Sequence, residues 1–292
     1  MTSQTVIDSS SGIPTSVHYD DLLETLSVLG SAVVAFSGGV DSTLLLHAAK
    51  QVLGDRVVAA SGLSETYAAE EMADARRLAA LIGVPYEVVP TMELTDPRYA
   101  NNSHQRCYFC KSELYTRLDT VRDRLGFAAI VDGANADDLK DFRPGARAAA
   151  ELGVRSPLLE VGLTKAEIRT LSELFGLPTW DKPAVACLSS RFAYGDPITI
   201  EKLAKVGKAE RELSRLGFRG ARVRHHDTVA RIEVPAERLD EALAQREAIV
   251  TAVRLAGYQY VTLDLEGYRT GSQNEVLHAR LKPGGLRGQS PL

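Results

Sequence analysis

The sequence predicts an α/β protein: a parallel sheet with helices on both faces, followed by a small α+β domain. Three observations predict it. Apolar, strand-like runs recur at 32–36, 57–61, 86–89 and 129–132, with helical stretches near 42–53, 66–82 and 107–125 between them. The first run ends in Ser37-Gly38-Gly39-Val40-Asp41-Ser42, a glycine turn that leads straight into a helical pattern. Beyond about residue 195 the alternation gives way to helix, two short strands, helix and strand.

Each element has its own signal. Residues 18–30 read as a lead-in helix. After the turn at 37–42, Leu45, Ala48, Ala49 and Val52 recur at i, i+3, i+4 and i+7, one helical face. In a parallel sheet the ligand sits at the carboxyl ends of the strands. Ser61-Gly62-Leu63, Gly133-Ala134-Asn135-Ala136-Asp137-Asp138 and Ser156-Pro157-Leu158 all leave such ends. Asp137 and Asp138 could face a ligand there, or could simply cap a turn, since Asn and Asp favour turns. Leu163-Thr164-Lys165-Ala166-Glu167-Ile168-Arg169 opens the last helix of the domain, with Thr164 as N-cap, and Gly176 and Pro178 end it. A helix over 199–216, a hairpin over 221–234, a helix over 236–256 and a strand over 260–265 follow. The expected domains are 18–195 and 196–275, the second serving substrate binding or assembly. Residues 1–17 and 278–292 are expected to be disordered, and no signal peptide is read in the first segment.

With 292 residues, 45% hydrophobic and 25% charged, the chain has the bulk of an ordinary globular protein. A net charge of −4 argues against a broad nucleic-acid-binding surface, though not against a local basic patch. No apolar run approaches the ~20 residues of a membrane span. A cytoplasmic protein is expected.

The 37–42 turn is an anion cradle. Unpaired N–H groups and the dipole of the following helix attract negative charge, and Gly38 and Gly39 let a phosphate approach. Ser37 and Ser42 add hydroxyl donors. Asp41 would repel an anion unless a cation lay between them, so Mg²⁺-chelated pyrophosphate is the economical ligand. A Walker loop would carry a Lys next to its Ser or Thr, and this one does not. At these residues the chain resembles the ATP pyrophosphatase (PP-loop) superfamily, whose fold is adenine nucleotide alpha hydrolase-like. The resemblance implies ATP as ligand, cleaved between its α and β phosphates. It implies nucleotide contacts from Ser37, Gly38, Gly39, Val40, Asp41, Ser42, Ser61 and Leu63. Mg²⁺ would be held by Asp41 together with Asp137 or Asp138.

Only three cysteines occur: Cys107, Cys110 and Cys187. Cys107 and Cys110 are one helical turn apart, beside Arg106 and Lys111, at a helix start that should favour thiolates. They also head an apolar stripe with Leu114, Leu118, Val121 and Leu125, so core packing is the plain alternative. Cys187 lies in a Pro-containing segment between Lys182 and Arg191 and is a candidate reactive thiolate; a small buried hydrophobe is the alternative.

The 37–42 turn, Arg106-Cys107-Tyr108-Phe109-Cys110-Lys111, the 133–138 loop and the 182–191 segment together resemble the LarE family. Ser156-Pro157-Leu158 and Arg222-Val223-Arg224 fit as well. Members are ATP-dependent sulfur transferases that help build the nickel-pincer cofactor of lactate racemase. The resemblance implies that Cys187 stands where the sulfur-donor cysteine of sacrificial members stands. It equally implies, in members with three cysteines, a [4Fe–4S] cluster on Cys107, Cys110 and Cys187 with one iron open. A zinc site using His104 with the three cysteines is the competing metal reading. A homo-oligomer acting on a small-molecule carboxylate, with no nucleic-acid or membrane partner, is expected.

The hairpin is predicted to turn at Asp227-Thr228. That register pairs Arg224 with Arg231 and Arg222 with Glu233 on one face. Like charges face each other there, so an anion between them would help and removing Arg224 would relieve repulsion. Arg222 and Arg224 match the family's positions for the substrate phosphate; a solvated basic face is the alternative. Two rival functions remain, a tRNA thiolase of the same superfamily and a non-catalytic adenine-nucleotide sensor.

Overall fold

A short antiparallel pair, β1 (Val6–Ile7) and β2 (Pro14–Thr15), precedes helix α1 (Val17–Leu29). The computed structural model describes residues 6–7, 14–15, 17–66, 69–140, 143–183 and 186–269. The disorder expected for 278–292 lies outside them, and within 1–17 only these two strands and the start of α1 are described. Two compact units divide the chain, Met1–Val185 and Ala186–Leu292.

In the first unit the apolar runs form β3 (Ala32–Ala35), β4 (Val57–Leu63), β5 (Tyr86–Pro90) and β6 (Ala129–Val131). All pair in parallel in the order β5-β4-β3-β6. The expected α/β class is therefore observed. Because side chains alternate along a strand, each strand feeds both faces. Ala32, Val34, Phe36, Val57, Ala59 and Val131 join one core with Leu22, Leu26, Leu45 and Ile168. Val33, Val58, Ala60 and Ile130 join another with Tyr115, Leu118 and Val121. The helices of the first face are α1, α2 (Val40–Leu53), α3 (Ala69–Ile82) and, beyond β6, the single turn α7 (Pro157–Glu160) and α8 (Lys165–Leu174). Those of the second are α5 (Arg106–Leu125) and α6 (Pro144–Glu151), after a single turn α4 (Pro97–Ala100). Both α6 and α7 begin on Pro at the first turn, where a missing N–H costs nothing.

The second unit carries α9 (Ile200–Arg215), the hairpin β7 (Arg222–His226) and β8 (Val229–Glu233), α10 (Leu239–Ala244), α11 (Arg246–Leu255) and β9 (Tyr260–Leu263). The sheet runs β7-β8-β9, antiparallel then parallel. The hairpin register is the expected one, Arg222 opposite Glu233 and Arg224 opposite Arg231. Asp227 takes φ of 51° in the turn, a left-handed conformation that Asp tolerates. The single helix expected over 236–256 is instead a 3₁₀ turn (Ala236–Arg238), α10 and α11, broken at Gln245. Buried Ala242, Ile249, Val253 and Ala256 keep helical spacing across the break, so the apolar pattern could not reveal it. No described helix is long and apolar enough to cross a membrane.

Candidate functional site

The first unit gathers its polar side chains at the carboxyl ends of β3, β4 and β6. The chain leaves β3 through Phe36, whose N–H is held by the Ala60 carbonyl at 2.8 Å. It then bends at Gly38, where φ is 66° and an added Cβ would lie 3.3 Å from the Ala75 backbone. Ser37 N–H donates to Ser42 Oγ at 3.3 Å, the two hydroxyls are 3.1 Å apart, and Ser42 Oγ donates to the Gly39 carbonyl at 3.2 Å. These bonds tie the turn to the first turn of α2. No side chain caps the helix at Gly39. The N–H groups of Val40, Asp41 and Ser42 therefore have no acceptor inside the helix.

Gly133, just past β6, faces this turn. A Cβ there would stand 3.0 Å from Ser42 N and 3.3 Å from Asp41 Cβ. Gly133→Ala is accordingly expected to push the 133–138 loop off the α2 N-terminus and cost about 1–3 kcal/mol of stability. Urea unfolding checks the stability, and anion affinity at the turn should fall with it.

Asp41, in the first turn of α2, is bonded from two sides. Asn135 Nδ2 donates to its Oδ1 at 3.3 Å, and Lys165 Nζ donates to its Oδ2. Asp137 accepts the Lys165 backbone N–H at 2.9 Å and so caps α8. Asp138 accepts the Asn135 N–H at 3.1 Å and pairs with Arg143 at 2.8 Å. Burial raises the Asp138 carboxyl above the ordinary carboxylate range; Asp41 pushes the same way, while Arg143 opposes it. Asn135 links the two carboxylates, its side-chain amide on Asp41 and its backbone N–H on Asp138. Among the described residues no group of three or more His, Cys, Asp or Glu side chains is gathered as a metal site.

Two lysines reach the turn from distant segments. Besides Lys165, Lys182 Nζ donates to the Gly38 carbonyl at 3.0 Å. Arg169 holds the Lys182 loop through the Trp180 and Lys182 carbonyls. Sequence reasoning missed Lys165, Lys182 and Asn135 as neighbours of the turn. The only signal for Lys165 was its place after an N-cap, where a cation is electrostatically out of keeping.

Ser61 is buried, with its hydroxyl committed to the Phe36 carbonyl, while Leu63 is exposed at the end of β4. Ser156 donates to Asp132 Oδ1 at 2.7 Å, and Tyr115 donates to Asp132 Oδ2 at 2.6 Å. Buried Asp132 therefore ties α5 to the end of β6.

On α5 the apolar stripe is buried at Leu118 and Val121 but opens at both ends, at exposed Leu125 and toward the helix start. Cys107 is exposed and Cys110 half-buried, so the pair lies outside the core. Lys111, next in sequence, is held above its ordinary pKa, by Tyr115 first and also by Asp132 and Cys110, against burial.

Cys187 belongs to the second unit, where it is half-buried before a 3₁₀ turn (Leu188–Arg191). Arg191 is buried and orders this segment. Its guanidinium binds Glu210 at 2.8 and 2.9 Å, the Ala186 carbonyl at 2.7 Å and the Cys187 carbonyl at 3.1 Å. Arg191 thus positions the Cys187 backbone. Glu210 also accepts the Val223 N–H at 2.9 Å, which joins this segment to β7.

Arg222 and Arg224 are buried beside it. Burial, then Arg191, holds Arg222 below the ordinary arginine value. Arg224 makes a two-point contact with Glu233 at 2.9 and 2.7 Å and donates to the Ser190 carbonyl at 2.8 Å. Arg231 also reaches Glu233, at 3.2 Å. The expected repulsion between Arg224 and Arg231 is therefore corrected: Glu233, diagonal to Arg224, supplies the anion from within the hairpin. Arg224→Ala should destabilise the second unit by about 3 kcal/mol, because it strips the main partner from a buried carboxylate. Chemical denaturation of the variant checks the sign; a gain in stability would restore the repulsion picture.

No family model matches the chain. It is 47% identical over 260 residues to an uncharacterized protein of Synechocystis sp., covering 88% of this chain and 97% of that one. It is 39% identical over 257 residues to the pyridinium-3,5-bisthiocarboxylic acid mononucleotide synthase of Lactiplantibacillus plantarum, covering 88% and 93%. An uncharacterized protein of Methanocaldococcus jannaschii is 28% identical over 239 residues.

Proposed function

The chain belongs to the LarE family, which includes the pyridinium-3,5-bisthiocarboxylic acid mononucleotide synthase, and from that premise we propose that it is an ATP-dependent sulfur transferase. Its substrate on this reading is pyridinium-3,5-biscarboxylic acid mononucleotide, one carboxylate of which becomes a thiocarboxylate. The observation that carries the nucleotide part is the α2 N-terminus, uncapped by a side chain among the described residues, with Asp41 in its first turn and Gly133 leaving space against Ser42.

The residues divide the work as follows. The N–H groups and hydroxyls of 37–42 bind the β and γ phosphates and hold pyrophosphate as it leaves. The substrate carboxylate attacks the α-phosphorus, so an acyl-adenylate replaces a poor oxide leaving group by AMP. Exposed Leu63 offers the adenine an apolar contact, with the buried Ser61 hydroxyl fixing the strand ends beneath it. Asp41 and Asp138 suit one Mg²⁺, which commonly takes only one or two protein carboxylates plus phosphates and water. The ion would supply charge neutralisation between the phosphates; Asp137, spent on the α8 N-terminus, would act through an outer contact. The substrate phosphate is assigned to Arg222, with Arg224, whose guanidinium is taken up by Glu233 and the Ser190 carbonyl, ordering the strand beside it.

Cys187 is assigned the sulfur step, either as the donor or, with Cys107 and Cys110, as a ligand of a [4Fe–4S] cluster. Two thiols one turn apart outside the core fit the edge of such a soft site, and the cluster would supply sulfide. We place the enzyme in the cytoplasm as a homo-oligomer, without nucleic-acid or membrane partners.

Pyrophosphate release tests the reading. It should require both ATP and the biscarboxylate, with an excess of AMP over ADP among the products. Release stimulated by tRNA instead would favour a thiolase of RNA, and nucleotide binding without any turnover would favour a sensor.

A further inference from the structure

Lys165 occupies the first position of α8, where the positive end of the helix dipole disfavours a cation. Its surroundings explain how it is tolerated. Asp137 accepts its backbone N–H at 2.9 Å, and its Nζ donates to Asp41 Oδ2. The capping box of Thr164 and Glu167 fixes the backbone at this point, so the side chain is the part free to move. The pair remains reachable by solvent, with the Lys165 and Asp41 side chains 33% and 23% exposed.

An ammonium and a divalent cation on the same carboxylate repel each other, so a metal at Asp41 favours release of Lys165. We infer that Lys165 is an exchangeable counter-cation of Asp41. It neutralises the carboxylate while the turn is empty and swings to the phosphates when the metal–nucleotide complex arrives. As a positioning residue it couples the two ligands. Metal alone must displace Lys165 for no return, whereas metal with nucleotide gives the displaced ammonium a phosphate partner. The inference rests on the reading of 37–42 as a nucleotide cradle.

The test measures Mn²⁺ binding to the full chain by electron paramagnetic resonance, without nucleotide, and then binding of α,β-methylene-ATP with Mg²⁺ by calorimetry. Lys165→Met should tighten Mn²⁺ binding about tenfold while weakening the nucleotide analogue by a similar factor. Lys165→Arg, which keeps the charge, should leave Mn²⁺ binding weak. Adding Asp41→Asn to Lys165→Met should erase the gain. A purely structural lysine would shift both affinities in the same direction. Unchanged Mn²⁺ affinity in Lys165→Met, or a gain that survives loss of the Asp41 charge, overturns the inference. If the wild type fails to bind the analogue, the nucleotide reading fails, and the Mn²⁺ comparison still decides the exchange at Asp41.

Discussion

Asp41→Asn is expected to reduce pyrophosphate release by about a thousandfold or more while leaving the fold intact. The substitution keeps the shape of the side chain and removes one negative charge. Unit charges about 4 Å apart interact by about 4 kcal/mol at the effective dielectric of a partly exposed site. Each 1.4 kcal/mol is about a factor of ten in rate. Losing the charge that lets Mg²⁺ stand beside phosphate therefore accounts for about three powers of ten. The effect on stability is small by comparison. An acidic residue in the first turn of a helix contributes about 0.3–1 kcal/mol, and the half-buried, solvent-reachable pair with Lys165 about as much. Single-turnover assays with thermal unfolding of the same sample check both halves. Near-normal turnover by Asp41→Asn would remove the metal role from Asp41.

The second large effect concerns Cys187. Cys187→Ala should abolish thiocarboxylate formation and spare pyrophosphate release, because adenylation is assigned to the 37–42 turn and sulfur to the cysteine. Arg191 holds the backbone of this segment through the Ala186 and Cys187 carbonyls, so loss of the thiol leaves the segment in place. The wild type separates the two sulfur routes. If Cys187 gives up its own sulfur, each chain forms one product and becomes lighter by one H₂S at that residue. If a cluster carries the sulfide, anaerobically prepared protein contains iron and acid-labile sulfide, and Cys107→Ala or Cys110→Ala loses most of it. Intact mass spectrometry with iron analysis distinguishes them. Continued thiocarboxylate formation by Cys187→Ala would remove Cys187 from the sulfur step.

The parts of the fold legible in the sequence were those governed by local periodicity. The four apolar runs paired as a parallel sheet, and the hairpin register followed from a two-residue turn at Asp227. Thr164 caps its helix as expected, and the structure adds Glu167 as the other half of a capping box. What stayed hidden depends on contacts between distant segments. Lys165 meets Asp41 across 124 positions and Lys182 meets Gly38 across 144, and no pattern in either segment specifies its partner. Glu233 answers the charge of Arg224 because it sits diagonally across the ladder, a relation that direct cross-strand pairing does not display. The short helices α4, α6 and α7 escaped because each begins at a proline and is too brief to build a period. Cys107 and Cys110 looked equally suited to core and surface, since a helical stripe does not say where along its length burial stops; here it stops before the cysteines.

The most direct measurement uses substrate labelled with ¹⁸O in its carboxylates. Turned over with Mg²⁺–ATP under anaerobic conditions, it is predicted to yield AMP carrying one ¹⁸O, with a product in which one labelled oxygen is replaced by sulfur. Attack of the carboxylate on the α-phosphorus and expulsion of AMP by sulfur require that transfer. Unlabelled AMP, or ADP in its place, would contradict adenylation of the carboxylate and with it the assignment of a sulfur transferase.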